Sequence, residues 1–181
     1  MVSLDTSSST TGVAVWINGV LERYFPIDKT NVSQDEEVGD IADKRLDEMC
    51  GDIYKTLNGV KPSITVCEMT VVERSAHTQR MLSEIVGTVR GYCLAKKIWF
   101  DRLRPTEWRK QIYDNFDVEK PPKKRDDLKK WSIDTVKKLY GINVDDNTAD
   151  AILIGIAYIC LFGDISLFKK GLSYGNGNSC G

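Results

Sequence analysis

The sequence contains no apolar run near the ~20 residues needed to cross a bilayer. The longest, Ala151 to Phe162, covers about half such a span and reads as a core helix. No basic region followed by a hydrophobic stretch opens the chain, so no secretory leader is expected. Cysteine is sparse and unpatterned: five residues, at 50, 67, 93, 160 and 180, form no CxxC pair. That excludes zinc-finger spacing and argues against a disulfide scaffold. Four of them read as small buried hydrophobes and Cys180 as a tail thiol, in a reducing compartment. Histidine occurs once, and His77 reads as a surface or interface residue rather than a general base. There is no internal repeat and no dividing linker, so 181 residues are most simply one domain, 1–168, with a Gly/Asn-rich flexible tail over 169–181.

Net charge is also nearly absent, at −1, but its distribution is uneven. From Lys96 to Lys138 there are 14 Lys and Arg against 8 Asp and Glu, and the rest of the chain carries 11 against 18. The excess is densest in KPPKKRDDLKK. A solvated basic face would explain a random basic helix. Concentration in one stretch of a near-neutral chain favours a local site for a polyanion.

Residues 2–5, 12–17 and 20–25 read as strands, and Asn18-Gly19 is a type I′ hairpin signal. Val2, Leu4, Val13, Val15 and Ile17 form the expected buried set. After an acidic loop over 28–40, IADKRLDEMCGDIYKTLNG shows helical spacing with Gly59 as its stop. SITVCEM is a fourth strand. Residues 75–95 form a helix with Met81, Leu82, Ile85, Val86, Val89 and Tyr92 on one face, and Gly87 and Gly91 one turn apart. Each mid-helix glycine costs roughly 1 kcal/mol relative to Ala, so a close backbone approach is expected there, from the chain's own sheet or from a second subunit. A strand at 98–102, a short helix at 106–113, a helix near 126–140 and a last helix from about Asn147 follow. An antiparallel hairpin unit followed by alternating helices and strands predicts a three-layer α/β domain with a mixed five-stranded sheet.

Four carboxylates stand at the ends of apolar elements: Asp5, Glu68, Asp146 and Asp150. Asp146 and Asp150 share one face of the last helix's first turn, and Asn147 offers another oxygen. Taken singly, all but Asp150, which the following apolar run would bury, have a plain explanation. Asp146 or Asn147 would cap the helix, Glu68 would be a solvated strand end, and Asp5 would order the SSSTTG turn. Clustered at one centre they would repel, and be partly neutralised, unless a cation held them. Oxygen ligands without His or Cys suit Mg²⁺ or Mn²⁺. Two such ions ~3.5–4 Å apart can activate water and stabilise the leaving oxygen in phosphodiester hydrolysis.

SLDTSSSTTGVAV, TVCEM, a long helix and then DDNTADAILIGIAY resemble, in that order, the RuvC family of Holliday-junction resolvases, in particular its compact bacteriophage-type members. The resemblance spans about residues 2–162. It implies a ribonuclease H-like fold, a homodimer, and paired, metal-dependent cleavage of a four-way DNA junction in the cytoplasm of a bacterial or phage-infected cell. Asp5 matches the first-strand aspartate, Glu68 the fourth-strand acid and Asp150 the final aspartate. The remaining ligand matches Asp146, with Asn147 as a second candidate. WRK makes Arg109 a DNA-facing cation, and LKKWSIDTVKKLYG places Lys129 near the cleavage site, where it could stabilise charge on the phosphate. Lys123, Lys124, Arg125 and Lys130 would hold backbone phosphates. Helix 75–95 matches the dimer helix, giving Met81, Ile85, Gly87 and Gly91 as interface residues. One departure is MTVVERS, where family members often carry a base-wedging aromatic.

Other readings stay open. LDTSSSTTG also resembles the phosphate-binding hairpin of actin-like and sugar-kinase ATPases, which need a second such domain and a second glycine-rich loop. A catalytically weak junction-binding protein would keep the basic surface without a working metal site. A related ribonuclease H-fold nuclease would act on forks or RNA–DNA hybrids.

Overall fold

A computed structural model describes residues 1–30, 38–69 and 75–163. The expected tail 169–181 and Thr70–Arg74 of the MTVVERS segment lie outside them. Among the described residues the chain runs β1 (Val2–Asp5), β2 (Thr10–Ile17), β3 (Val20–Asp28), α1 (Val38–Val60), β4 (Ile64–Glu68), α2 (Ala76–Lys96), β5 (Trp99–Leu103), α3 (Pro105–Asn115), α4 (Arg125–Tyr140) and α5 (Asp146–Phe162). The sheet order is β3-β2-β1-β4-β5. β1, β2 and β3 pair antiparallel, while β4 lies parallel to both β1 and β5. This is the mixed five-stranded α/β sheet that the sequence pattern predicts.

The β2–β3 turn follows its sequence closely. Asn18 and Gly19 both take positive φ, 51° and 79°, and Ile17 pairs with Val20, as a two-residue I′ hairpin requires. Other boundaries move. β2 begins at Thr10, inside the expected SSSTTG turn, and β3 continues to Asp28. α1 runs through Gly59 to Val60, and the chain turns at Lys61, whose φ is +50°, just before Pro62. Proline cannot extend the helix, so it supplies the stop that Gly59 was expected to give. Ile17, expected in the core, is 53% exposed at the hairpin end.

Strand alternation divides the apolar residues between two layers. Val2, Leu4, Val13, Val15 and Cys67 pack with Met49, Ile53 and Leu57 of α1 and with Ile85 and Val89 of α2. On the opposite face Ala14, Trp16 and Val66 pack with Trp108 and Ile112 of α3, Trp131 and Val136 of α4, and α5. From Ala151 to Ile159 every residue of α5 is buried. A helix apolar around its whole circumference belongs in a protein interior, and α5 accordingly lies between the sheet and α3 and α4.

Candidate active site

Two glycines and one serine seat α5 on the sheet. A Cβ on Gly12 would lie 1.9 Å from the backbone oxygen of Asn147 and 2.8 Å from the amide nitrogen of Thr148. One on Gly155 would meet the Trp16 indole at 2.3 Å. Between these points Ser3 Oγ donates to the Ala151 carbonyl (2.7 Å) and accepts from Trp16 Nε1 (2.9 Å). Gly12 is also the direct partner of Asp5 across the antiparallel ladder. The contact that brings the start of α5 onto the sheet therefore brings it beside Asp5.

Glu68 arrives by the same alternation. Leu4 lies beside Cys67 in the parallel ladder, and both face the α1–α2 layer. The next residues, Asp5 and Glu68, therefore end neighbouring strands on the α5 side. At the helix start, Asp145 takes the capping role expected of Asp146 or Asn147. Its carboxylate accepts from Thr148 N (2.9 Å) and from Thr148 Oγ1 (2.6 Å). Asp146 is thereby free of cap duty, one turn before Asp150.

Burial and like-charged neighbours raise the proton affinity of a carboxyl group. Burial raises the pKa of Asp5 well above the usual carboxylate range, and the charges of Asp150, Glu68 and Asp146 push it the same way against Arg109. Burial likewise pushes Asp150 up to about 6, with Ser132 and Arg109 opposing it. Asp150 Oδ1 and Ser132 Oγ are both buried and fall short of hydrogen-bond geometry.

Two cations reach into this cluster. Arg109 Nη2 lies 3.8 Å from Asp150 Oδ2 and 4.0 Å from Glu68 Oε2, and its guanidinium stacks 4.3 Å from the centre of the Trp108 ring. Lys129 pairs with Asp146. Trp108, fully buried, donates its indole N–H to Glu68 Oε2 at 2.7 Å. Among the described residues no three acidic, histidine or cysteine side chains stand close enough to share one ion. In this conformation Arg109 and Lys129 offset part of the acids' charge, two cations against four carboxylates. Their hard-oxygen chemistry, surplus charge and the unpartnered oxygen of Asp150 nevertheless fit a divalent cation of the Mg²⁺ class.

No protein-family model matches the chain, and no curated protein matches it in sequence. Solved structures do match. Thermus thermophilus RuvC in complex with a Holliday junction substrate is similar over 90% of this chain and 98% of its own, at 13% identity and a TM-score of 0.65. The fold is that of RuvC. A second T. thermophilus RuvC structure has a TM-score of 0.60 at 13% identity, over 88% of this chain and 94% of its own. The yeast mitochondrial Holliday junction resolvase Ydc2 has 0.56 at 13% identity, over 97% and 81%. Likeness at this identity speaks to architecture, because one fold hosts many activities.

Within this RuvC-like fold the other expected site residues are distributed unevenly. Asn147 contributes its backbone to the Gly12 contact. Lys123, Lys124, Arg125 and Lys130 are exposed around the start of α4. Arg109, expected to face DNA, is turned inward onto Glu68 and Asp150, where opposite charge and the Trp108 ring hold it. Met81 and Ile85, expected at a subunit interface, are buried in the chain's own α1–α2 core. Gly87 and Gly91 lie on the other side of α2, exposed, with nothing within 4 Å of an added Cβ. His77 is exposed.

Three residues at the site are not evident from the sequence: Trp108, Ser132, and Gly12, which lies in the expected SSSTTG turn. The i, i+4 pair Trp108 and Ile112 signals a buried face, but nothing in sequence reveals which carboxylate the indole N–H meets.

Proposed function

We propose that the chain is a metal-dependent, structure-selective DNA endonuclease that resolves four-way junctions. The observation that carries this reading is the gathering of Asp5, Glu68, Asp146 and Asp150 at one corner of a RuvC-like fold, with Arg109 and Lys129 among them. One structural neighbour is a RuvC in complex with a Holliday junction substrate and another is named a Holliday junction resolvase, which supports the choice of substrate. Asp5, Glu68, Asp146 and Asp150, with Asn147 as a further oxygen donor, would hold Mg²⁺ or Mn²⁺. Such ions would polarise the phosphodiester and make a bound water nucleophilic near neutral pH.

The chain's own groups do the rest. Trp108 orients Glu68 through its N–H. Arg109 and Lys129 offset the acids' charge and would meet the phosphate oxygens of a bound strand beside them. Lys123, Lys124, Arg125 and Lys130 grip the DNA backbone, which makes binding steeply salt-dependent. Paired cuts on two strands need two centres, hence a second copy of the chain. Because Met81 and Ile85 are used internally, that contact would fall on the exposed face of α2 bearing Ser83, Gly87, Gly91 and Leu94, the last 70% exposed.

Incubation with Mg²⁺ and a synthetic four-way junction, beside the matching linear duplex, tests the reading. Paired nicks confined to the junction, lost in chelator and in Asp5→Asn while junction binding persists, are expected. Equal cutting in excess chelator, or normal cutting by Asp5→Asn, would overturn it.

A further inference from the structure

A cavity of about 450 Å³ opens between α3 and the 120–128 stretch, within the ~300–1,000 Å³ range of small-ligand sites. Pro121, Pro122 and Leu128 give it an apolar wall, and Tyr113, 43% exposed, adds an aromatic one. Lys120 and Arg109 line it as cations. Lys110 and Asp114, both also lining it, pair with each other one turn apart on α3, which leaves Lys120 and Arg109 as its surplus positive charge. The cavity is distinct from the acid cluster but shares a residue with it: the same Arg109 contacts Glu68 and Asp150.

Each part of this lining selects for something different. The prolines, Leu128 and an aromatic ring favour a flat, uncharged, apolar-faced group. The cations favour a ligand that also carries negative charge. A nucleotide joins these properties in one molecule, with its heterocycle attached to a phosphodiester. The position is apt as well, because a strand whose phosphate lay at Glu68 and Asp150 would carry its neighbouring nucleotide past Arg109.

We propose that this cavity is a nucleobase subsite that receives one unstacked base of the DNA substrate, stacked on Tyr113. The inference rests on the nuclease reading above for its substrate and adds the feature selected. Bases within a continuous duplex present no free face, so the pocket favours a strand whose stacking is already broken, as at a branch point. Stacking on an aromatic side chain is tolerant of base identity, so the subsite reads exposure of a base and not sequence.

The test uses labelled four-way junctions in chelator, so that binding is measured without cutting. A single abasic nucleotide is walked through the positions around the crossover. Wild-type protein is expected to lose about 5- to 150-fold in affinity at one or two positions. Tyr113→Ala should lose the same factor on the intact junction and become indifferent to the abasic substitution there. Tyr113→Phe, which keeps the ring, should restore that sensitivity. The proposal is overturned if Tyr113→Ala binds the intact junction like wild type, or if its loss is the same whichever base is removed. The latter result would be expected were the cavity filled by a protein side chain. Cleavage by the wild type in Mg²⁺ is scored separately. Cutting without coupling between Tyr113 and a base sinks the subsite alone, and coupling without cutting sinks the nuclease reading alone.

Discussion

The two faces of the sheet are built from the same strands, yet they serve opposite ends. β1 gives Val2 and Leu4 to the α1–α2 layer and Ser3 and Asp5 to the α5 layer. On the first face the described core is mostly apolar, closed by Met49, Ile53, Leu57 and Ile85, and its buried hydroxyl, Thr65, carries no charge. On the second, an equally buried helix is fixed by a serine hydrogen bond and two glycine contacts, and near its start it carries Asp150, whose burial opposes its ionisation. One face supplies stability, and the other uses some of it to hold like charges together. Active sites commonly store strain in this way, supported by a rigid remainder.

The sharpest way to break the comparison is at Gly12, where the second face depends on backbone meeting backbone. Gly12→Ala places a methyl where Asn147 O already stands, and neither the strand nor the helix start can yield as a flexible side chain would. Overpacking of this kind costs about 1–3 kcal/mol or more, and relief requires α5 to lift from β2. Loss of junction cleavage together with a fall in the urea midpoint is expected. A variant of wild-type stability and activity would show that the seating of α5 is not what places Asp146 and Asp150 beside Asp5.

How much of this was legible in the sequence differs between the faces in the same way. Periodicity and turn chemistry reveal strands and helices because they are local, and Asn18-Gly19 dictates its turn in any context. The acids at element ends were visible for the same reason, since a carboxylate beside an apolar run is anomalous on its face. What a side chain meets across the fold is not local. Trp108 and Gly12 look ordinary until α3 and α5 are packed. Sequence carries no sign of direction either, so the inward contacts of Arg109 with Glu68 and Asp150 emerge only in the fold. An apolar helix face looks the same whether it meets its own sheet or another chain, so the resemblance to a dimer helix does not reveal that Met81 and Ile85 are used internally. The Asp145 cap was hidden by its neighbours, three consecutive residues any of which caps a helix well.

Removing one charge from the second face should make it behave more like the first. Asp150 takes up its proton near pH 6 in the folded chain but near 3.8 when unfolded. Between those values the native state holds more protons than the unfolded state, so stability falls as pH rises through the window and levels off above it. Asp150→Asn should therefore stabilise the metal-free protein by roughly 1–3 kcal/mol at pH 7 and flatten its stability between pH 4 and 6. Denaturation in chelator at several pH values reads both effects. A less stable variant at pH 7 would mean that Arg109 repays the burial of Asp150 in full.

The smallest expected effect is the most specific. Trp108 belongs to the apolar interior of the second face by every measure of packing, yet its one polar atom meets Glu68 at 2.7 Å. Trp108→Phe keeps most of the ring in the core and deletes only that donor. If the indole merely fills space, the variant should lose some stability and bind Mn²⁺ as before. If it holds Glu68 in the orientation an ion needs, Mn²⁺ affinity should fall about tenfold, in line with the loss of other hydrogen bonds to metal ligands. Titration of Mn²⁺ without DNA separates the outcomes independently of cleavage. A drop in metal affinity with a nearly unchanged melting temperature would show that the apolar layer around α5 orients the carboxylates as well as burying them.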